Sequence, residues 1–418
     1  MNVFMGKSVR RFLTVALGML TAFSISAAAQ AASAPSVIKI GTLYAGSGPF
    51  AVPSQGQYQG LKFWARTVNA DGGVFVKAFD KKIPVKIIAY DDQSSTSTAT
   101  TLYNQLITQD KVNLLVADFG SVLTSVAVPL AAEHHMLLID PTGSGANFFT
   151  HKTPYLADVS IPSSTVWPIP LGMFLRDHKI DRVAIIYGSN DFDASQAQTL
   201  KSVLAKGGID PVYFHAVPTS ESNYNVMLHS IAARNPNAVI EFGYPNNDIA
   251  FLRALSNSGL HFDMVFTVFP GQLLGLLTKN VGAQALAYTY TYPTPPLVKY
   301  DHVNLGLNTA AFVKAFKSAE HTEPNFLDAA GYNTGLIMQR MLGTSHRFTQ
   351  EAFDAALLRM SGKTTTVLGQ FKMNDHGAQL GEAFPVAQIV PKNGKNTIEI
   401  VYPTHAATAK PIYPAPQN

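Results

Sequence analysis

Short apolar runs alternate with longer segments of helical period through most of this 418-residue chain. The runs VIKIGTLYA from Val37, VKIIAYDD from Val85, VNLLVADFG from Val112 and MLLIDPTG from Met136 are nearly continuous in apolar residues. That is the pattern of strands buried on both faces of a parallel sheet. Between them, Leu61, Trp64, Ala65 and Val68 fall on one helical face, as do Ala99, Leu102, Tyr103, Leu106 and Ile107. The series is βαβ. After an irregular, proline-bearing stretch over residues 158–170 the alternation restarts with RVAIIYG from Arg182, PVYFHAVP from Pro211, AVIEFGYP from Ala238 and DMVFTVFPG from Asp263. Two such series predict two α/β lobes. Further on, ALAYTYTYP from Ala285 reads as a strand ending in a Pro-rich turn, residues 309–360 read as helical, and late strands start near Phe384 and Thr397. The stretch from Ala406 is rich in Ala and Pro and reads as a mobile tail.

The first 31 residues set the expected compartment. Lys7, Arg10 and Arg11 precede an apolar run over 12–25 and a small-residue stretch over 26–31, the layout of a secretory signal peptide on the ordinary Sec route. The run is too short for a membrane span, which needs about 20 apolar residues. The chain has no cysteine, so burial alone must hold it together, and no thiol exists for lipid attachment. A freely diffusing periplasmic protein, not a lipoprotein, is the expectation. Three of the four net positive charges belong to the leader, so the remainder offers no basic surface for nucleic acid. Lys77, Lys81 and Lys82, around Phe79 and Asp80, read as a solvated strand-connecting turn.

Open parallel α/β sheets bind ligands at the carboxyl ends of their strands. On the first lobe those ends carry Ser121, Thr124 and Ser125, then Thr142, Gly143, Ser144 and Gly145. Hydroxyls and free N–H groups at a helix start can hold a carboxylate without Arg or Lys; each taken alone is equally an N-cap or turn residue. The second lobe offers Tyr187, Phe192, Tyr244 and Phe269, rings that either face a ligand or pack in the lobe core. Enzyme signatures are missing. Gly362, Lys363 and Thr364 resemble the end of a phosphate loop, but Leu357 stands where its first Gly should be. There is no G-x-S-x-G elbow. His134 and His135 lack metal-ligand spacing and sit where a helix ends, and Asp91 and Asp92 read as helix-capping residues.

In order, IKIGTLYAGSGPF from Ile38, NADGGV from Asn69, AYDDQS from Ala89 and LLIDPTGSG from Leu137 resemble the leucine/isoleucine/valine-binding protein family. These are type I periplasmic binding proteins of branched-chain amino acid and amide ABC importers. The resemblance implies an α/β fold of two Rossmann-like lobes with parallel-rich sheets joined by a three-stranded hinge. Lobe 1 is expected at 32–160 and 290–378, and lobe 2 at 161–289 and 379–405, with a flexible tail at 406–418. The crossovers fall near 158–162, 288–293 and 377–384.

By resemblance, Ser121 and Ser144, with Thr142 adjacent, would bind a ligand carboxylate, and Phe192 and Tyr244 would face it from lobe 2. Phe269 joins them from its strand-end position. The family also places an acid after the next strand for the ligand ammonium, where this chain reads Val268, Phe269, Pro270, Gly271 and Gln272. Either Asp193, Glu241 or another acid substitutes, or the ligand is not an α-amino acid. The expected function is the solute-binding component of an ABC importer for a small carboxylate: a branched-chain or aromatic amino acid, or a related acid or amide. The expected partners are that ligand and an inner-membrane permease, with no cofactor, no metal and a monomeric chain. Two alternatives are a sensor feeding a signalling receptor and a serine hydrolase built on Ser121 or Ser144. The hydrolase would need a His and an acid converging on the hydroxyl, and only His151 is near in sequence.

Overall fold

The computed structural model describes residues 33–416, so the leader expected at 1–31 lies outside them. All elements belong to one unit that begins at Ser36. Strand β1 (Ile38–Tyr44) leads into helix α1 (Ala51–Ala70) and a short hairpin of β2 (Val74–Val76) and β3 (Lys81–Ile83). The lysines around Phe79 lie on this hairpin, which turns at Asp80 with φ 51°. Then follow β4 (Val85–Asp91), α2 (Thr96–Thr108), β5 (Leu114–Val116), α3 (Gly120–Glu133), β6 (Leu138–Asp140) and β7 (Leu156–Asp158). They form a five-stranded parallel sheet in the order β4-β1-β5-β6-β7. His134 caps the carboxyl end of α3, where its position in sequence suggests.

The second lobe starts with α4 (Ile169–Asp177), β8 (Val183–Gly188), α5 (Asp191–Ala205), β9 (Tyr213–Val217) and α6 (Asn225–Ala232). It continues through β10 (Ala238–Phe242), α7 (Pro245–Ser258), β11 (Met264–Phe266), α8 (Leu274–Val281), α9 (Ala283–Leu286) and β12 (Tyr290–Thr291). The apolar run from Ala285 is therefore helix first, with only two residues in strand. Next come α10 (Thr309–Glu320), α11 (Phe326–Thr344), α12 (Gln350–Met360) and the small hairpin β13 (Thr364–Thr366) and β14 (Gly369–Phe371). Strands β15 (Val386–Lys392) and β16 (Lys395–Tyr402) close the second sheet, ordered β16-β15-β12-β11-β10-β8-β9. Its strands pair in parallel except for β12–β15 and β15–β16.

Helices α1 and α11 meet backbone to backbone. A Cβ at Gly60 would collide with the Asp328 carbonyl, and one at Gly331 with the Gln57 carbonyl. Small residues on both faces thus let the late helical segment return to the first lobe, where Phe63 packs on Phe312, Phe316 and Tyr332. The lobes are joined by chains that run side by side. The Asp158 N–H donates to Gly377 O (2.8 Å) and the Ser163 N–H to Gln379 O (2.7 Å). The third chain leaves β12 at Tyr292, whose ring lies on Trp167 of the first crossover and Phe384 of the last.

The stretch from Ala406 does not hang free, as its composition suggests. Gln388, fully buried in β15, accepts the Ile412 N–H and donates to its carbonyl, both at 2.9 Å, and the Ala415 N–H reaches Asp263 O. One side-chain amide matching one peptide group holds the segment, a pairing that composition cannot reveal.

Candidate functional site

The crevice forms where the strand ends of both sheets face each other. In lobe 1 the chain leaves β5 through Asp118, whose Oδ1 accepts the Phe119 N–H (2.6 Å) and the Ser54 hydroxyl (2.5 Å). Gly120 then opens α3 at φ 76°, a left-handed conformation that L side chains rarely adopt. The buried amino end of α3 thereby lies against Tyr244 of the second lobe. The Gly120 N–H donates to Thr142 Oγ1 (3.0 Å), and that hydroxyl donates to Gln57 Oε1 (2.6 Å). Asp140 fixes the Thr142 turn by accepting the Thr142 and Gly143 N–H groups. Ser121 Oγ accepts the Gly145 N–H (3.0 Å), and its backbone N–H donates to Tyr244 Oη of lobe 2 (3.0 Å).

Tyr244 precedes α7, held by Asn247 Oδ1, which accepts its N–H. Its ring sits among Phe192 (5.3 Å between centroids), Phe269 (6.4 Å), Phe50 (5.0 Å) and Phe119 (5.9 Å), while Trp167 packs edge-on against Phe192. Further bonds cross the crevice from Asn147 N–H to Asp191 and from Ala146 N–H to Ser195. The space enclosed by Phe119, Gly120, Thr142, Ile161, Trp167, Phe192, Tyr244, Phe269, Gln272 and Phe326 admits about one water molecule. Two larger hollows of about 450 and 760 Å³ lie on lobe 2, one between α4 and α5 and the other beside α9, and neither faces the first lobe.

Of the six residues read from sequence, Ser121, Thr142, Phe192, Tyr244 and Phe269 come together here. Ser144 does not: it is fully buried and its hydroxyl pairs with Ser164 Oγ (2.9 Å). Tyr187 packs on Phe214 and belongs to the lobe. Trp167, Phe326, Ile161 and Gln272 were not singled out by sequence. Trp167 carried one signal, a large ring fixed between prolines in a crossover, where its Nε1–H donates to Pro162 O (2.6 Å). Gln272 carries an unpartnered Oε1 although only 6% of the residue is exposed.

No acid lines this space. Asp193 and Glu241, the candidate substitutes for an ammonium partner, are buried inside lobe 2 with Asp248. Asp193 Oδ2 accepts from Asn190 (2.6 Å) and Asp248 Oδ2 accepts the Phe269 N–H (2.6 Å), while Asp193 Oδ1, Glu241 Oε2 and Asp248 Oδ1 are buried without a partner. Burial, with the neighbouring carboxyls adding to it for Asp193 and Glu241, pushes all three above the usual carboxylate range. In lobe 1 burial raises Asp118, next to Asp92, and Asp158, next to Asp140. Among the described residues, no His, Cys, Asp and Glu cluster is arranged to hold a metal ion. Nor does a histidine bond to either Ser121 or Ser144 there.

A polar helix end facing aromatic rings, between lobes joined by paired crossing chains, is the geometry of a receptor that closes on a small molecule. Residues 37–395 match the family model described as periplasmic binding protein. The chain belongs to this family. As a periplasmic binding protein it is similar to the leucine-specific-binding protein of Salmonella typhimurium, with 22% identity over 384 residues, 91% of this chain and 96% of the relative. Its fold superposes on a branched-chain amino acid transporter substrate-binding protein of Streptococcus pneumoniae in complex with isoleucine (TM-score 0.72, 17% identity, 88% of this chain and 100% of the other). It matches equally well a solute-binding protein of R. palustris in complex with benzoate (TM-score 0.71, 18% identity, 87% and 95%). The periplasmic binding protein family and these relatives are solute binders, not enzymes, and the type I fold expected from sequence is present.

Proposed function

We propose that this protein captures a small carboxylate between its lobes in the periplasm and presents it to an ABC permease of the inner membrane. The observation that carries this reading is the amino end of α3, where the Ser121 N–H reaches across the crevice to Tyr244 Oη and the neighbouring Gly120 N–H is held by Thr142 Oγ1. A helix amino end holds partial positive charge and free donors, so it favours an anion without any Arg or Lys. The rings of Phe192, Tyr244 and Phe269 opposite supply an apolar wall for the rest of the ligand. The candidates run from branched-chain and aromatic amino acids to related acids and amides. The isoleucine and benzoate complexes of two structural neighbours span that range.

A ligand that touches both lobes favours the closed arrangement over the open one, which turns occupancy into a shape the permease can read. The leader expected at 1–31 supports export to the periplasm. Hydrogen exchange tests the site. A bound carboxylate should slow exchange at residues 119–122 and at 244–247 together, whereas protection confined to one lobe would place the ligand elsewhere.

A further inference from the structure

We infer that the ligand is a small carboxylate without an amino group, carrying a ring or short apolar body and a hydroxyl or other neutral hydrogen-bonding group at the end away from the carboxylate. This rests on the carboxylate reading above and names the ligand class of the same crevice.

The residues that enclose the space between the rings carry no charge, and Asp191, which crosses the crevice outside it, already accepts from the Asn147 N–H and the Ser195 hydroxyl. The polar groups of that space are the Gly120 backbone, the Thr142 and Tyr244 hydroxyls and the Gln272 amide, with the Ser121 N–H beside them on Tyr244 Oη, and the remainder is apolar or aromatic. An ammonium drawn into this space would lose its water without gaining a counter-charge, which proteins avoid. Ring faces offer a cation only partial compensation. The buried acids of lobe 2 do not supply the missing charge. Asp248 Oδ2 accepts the Phe269 N–H, Asp193 Oδ2 accepts from Asn190, and none of the three acids is among the residues that enclose the space.

Gln272 points to the other end of the ligand. Its Nε2–H reaches only the carbonyl of Val268 at 3.4 Å, and its Oε1 is buried without a partner. An unpaired buried acceptor is costly, and because Gln272 lines the enclosed space a ligand donor there would complete it. Because an amide presents either its oxygen or its nitrogen by rotation, a ligand hydroxyl satisfies it as donor or as acceptor.

Isothermal titration of the refolded protein with matched pairs tests this. One pair is 3-(4-hydroxyphenyl)propanoate and tyrosine, and the other is 4-methylpentanoate and leucine; each pair differs only in the amine. The expected result is at least 100-fold tighter binding of the amine-free member that binds, with the hydroxyphenyl acid the tighter of the two acids. Gln272→Glu should cut that preference tenfold or more by placing a carboxylate in the crevice, while Gln272→Leu should erase the advantage of the hydroxyl. Equal or tighter binding of tyrosine or leucine by the unmodified protein overturns the inference and leaves the carboxylate reading intact. Failure of all four compounds to bind overturns both.

Discussion

The Tyr244 hydroxyl of the second lobe lies 3.0 Å from the Ser121 backbone nitrogen of the first, on the helix end proposed for the ligand carboxylate. Gly120 makes the approach possible, since a Cβ there would stand 2.9 Å from that hydroxyl. Closure through Tyr244 and binding of an anion therefore draw on one set of donors. A ligand that takes the Ser121 N–H displaces the tyrosine hydroxyl, and the surrounding rings then rearrange around the ligand.

Tyr244→Phe keeps the ring and removes the bond. One hydrogen bond of about 1 kcal/mol across the lobes is lost. The radius of gyration of the protein alone, measured by small-angle X-ray scattering, should increase, and carboxylate affinity should rise about fivefold, the equivalent of that bond. An unchanged radius with weaker binding would make the hydroxyl a ligand contact instead of a latch.

Gly60→Ala tests the packing that returns the late helices to the first lobe. The new methyl meets the Asp328 carbonyl, so α1 and α11 must separate. A loss of about 1–3 kcal/mol is expected, the usual range for overpacking. It is read as a lower urea midpoint at unchanged slope.

Acidity should favour the folded state over the neutral range. Burial pushes Asp140 up to about 7, against 3.8 for the free side chain, even though the Gly143 and Thr142 N–H groups pull it down. Because its folded pKa is raised, the native state holds a proton that the unfolded chain releases. Its stabilising contribution is complete below about pH 4 and is lost as the pH rises toward 7. Asp158 and Tyr103 lie near it, and Asp158 and the buried Asp118 shift in the same direction. Glu351 and Glu399 shift oppositely, but near the surface, where solvent screens them. The melting temperature should fall from pH 5 to pH 8, and Asp140→Asn, which keeps the acceptor, should flatten the slope. A melting temperature that rises over this range would contradict the assignment of buried, protonated acids.

Strands of both lobes were legible because burial on two faces leaves continuous apolar runs, as in β1, β8 and β10. Strand β7 leads into the proline-bearing stretch, where no apolar run stands out, and of the run from Ala285 only Tyr290 and Thr291 are strand. Ser121 and Thr142 were legible as hydroxyls at strand ends, which is a local signal. Ser144 has the same local signal, yet its hydroxyl belongs to Ser164, and only the folded crossover brings that partner near. Phe326 reaches the crevice from the start of a late helix, and the Gly60 and Gly331 faces fit only after the chain has returned from the other lobe. Such pairings depend on distant chain segments, so no periodicity announces them.

The most direct test of a carboxylate-binding crevice is a thermal-shift comparison of small aromatic and aliphatic acids with their methyl esters on the refolded, ligand-stripped protein. A ligand at one hundred times its Kd adds about 2.7 kcal/mol to native stability. At least one acid should raise the melting temperature clearly while its ester does not, because the ester cannot present an anion to the Gly120 and Ser121 N–H groups. Stabilisation by no acid, or equally by acid and ester, would contradict the proposed function.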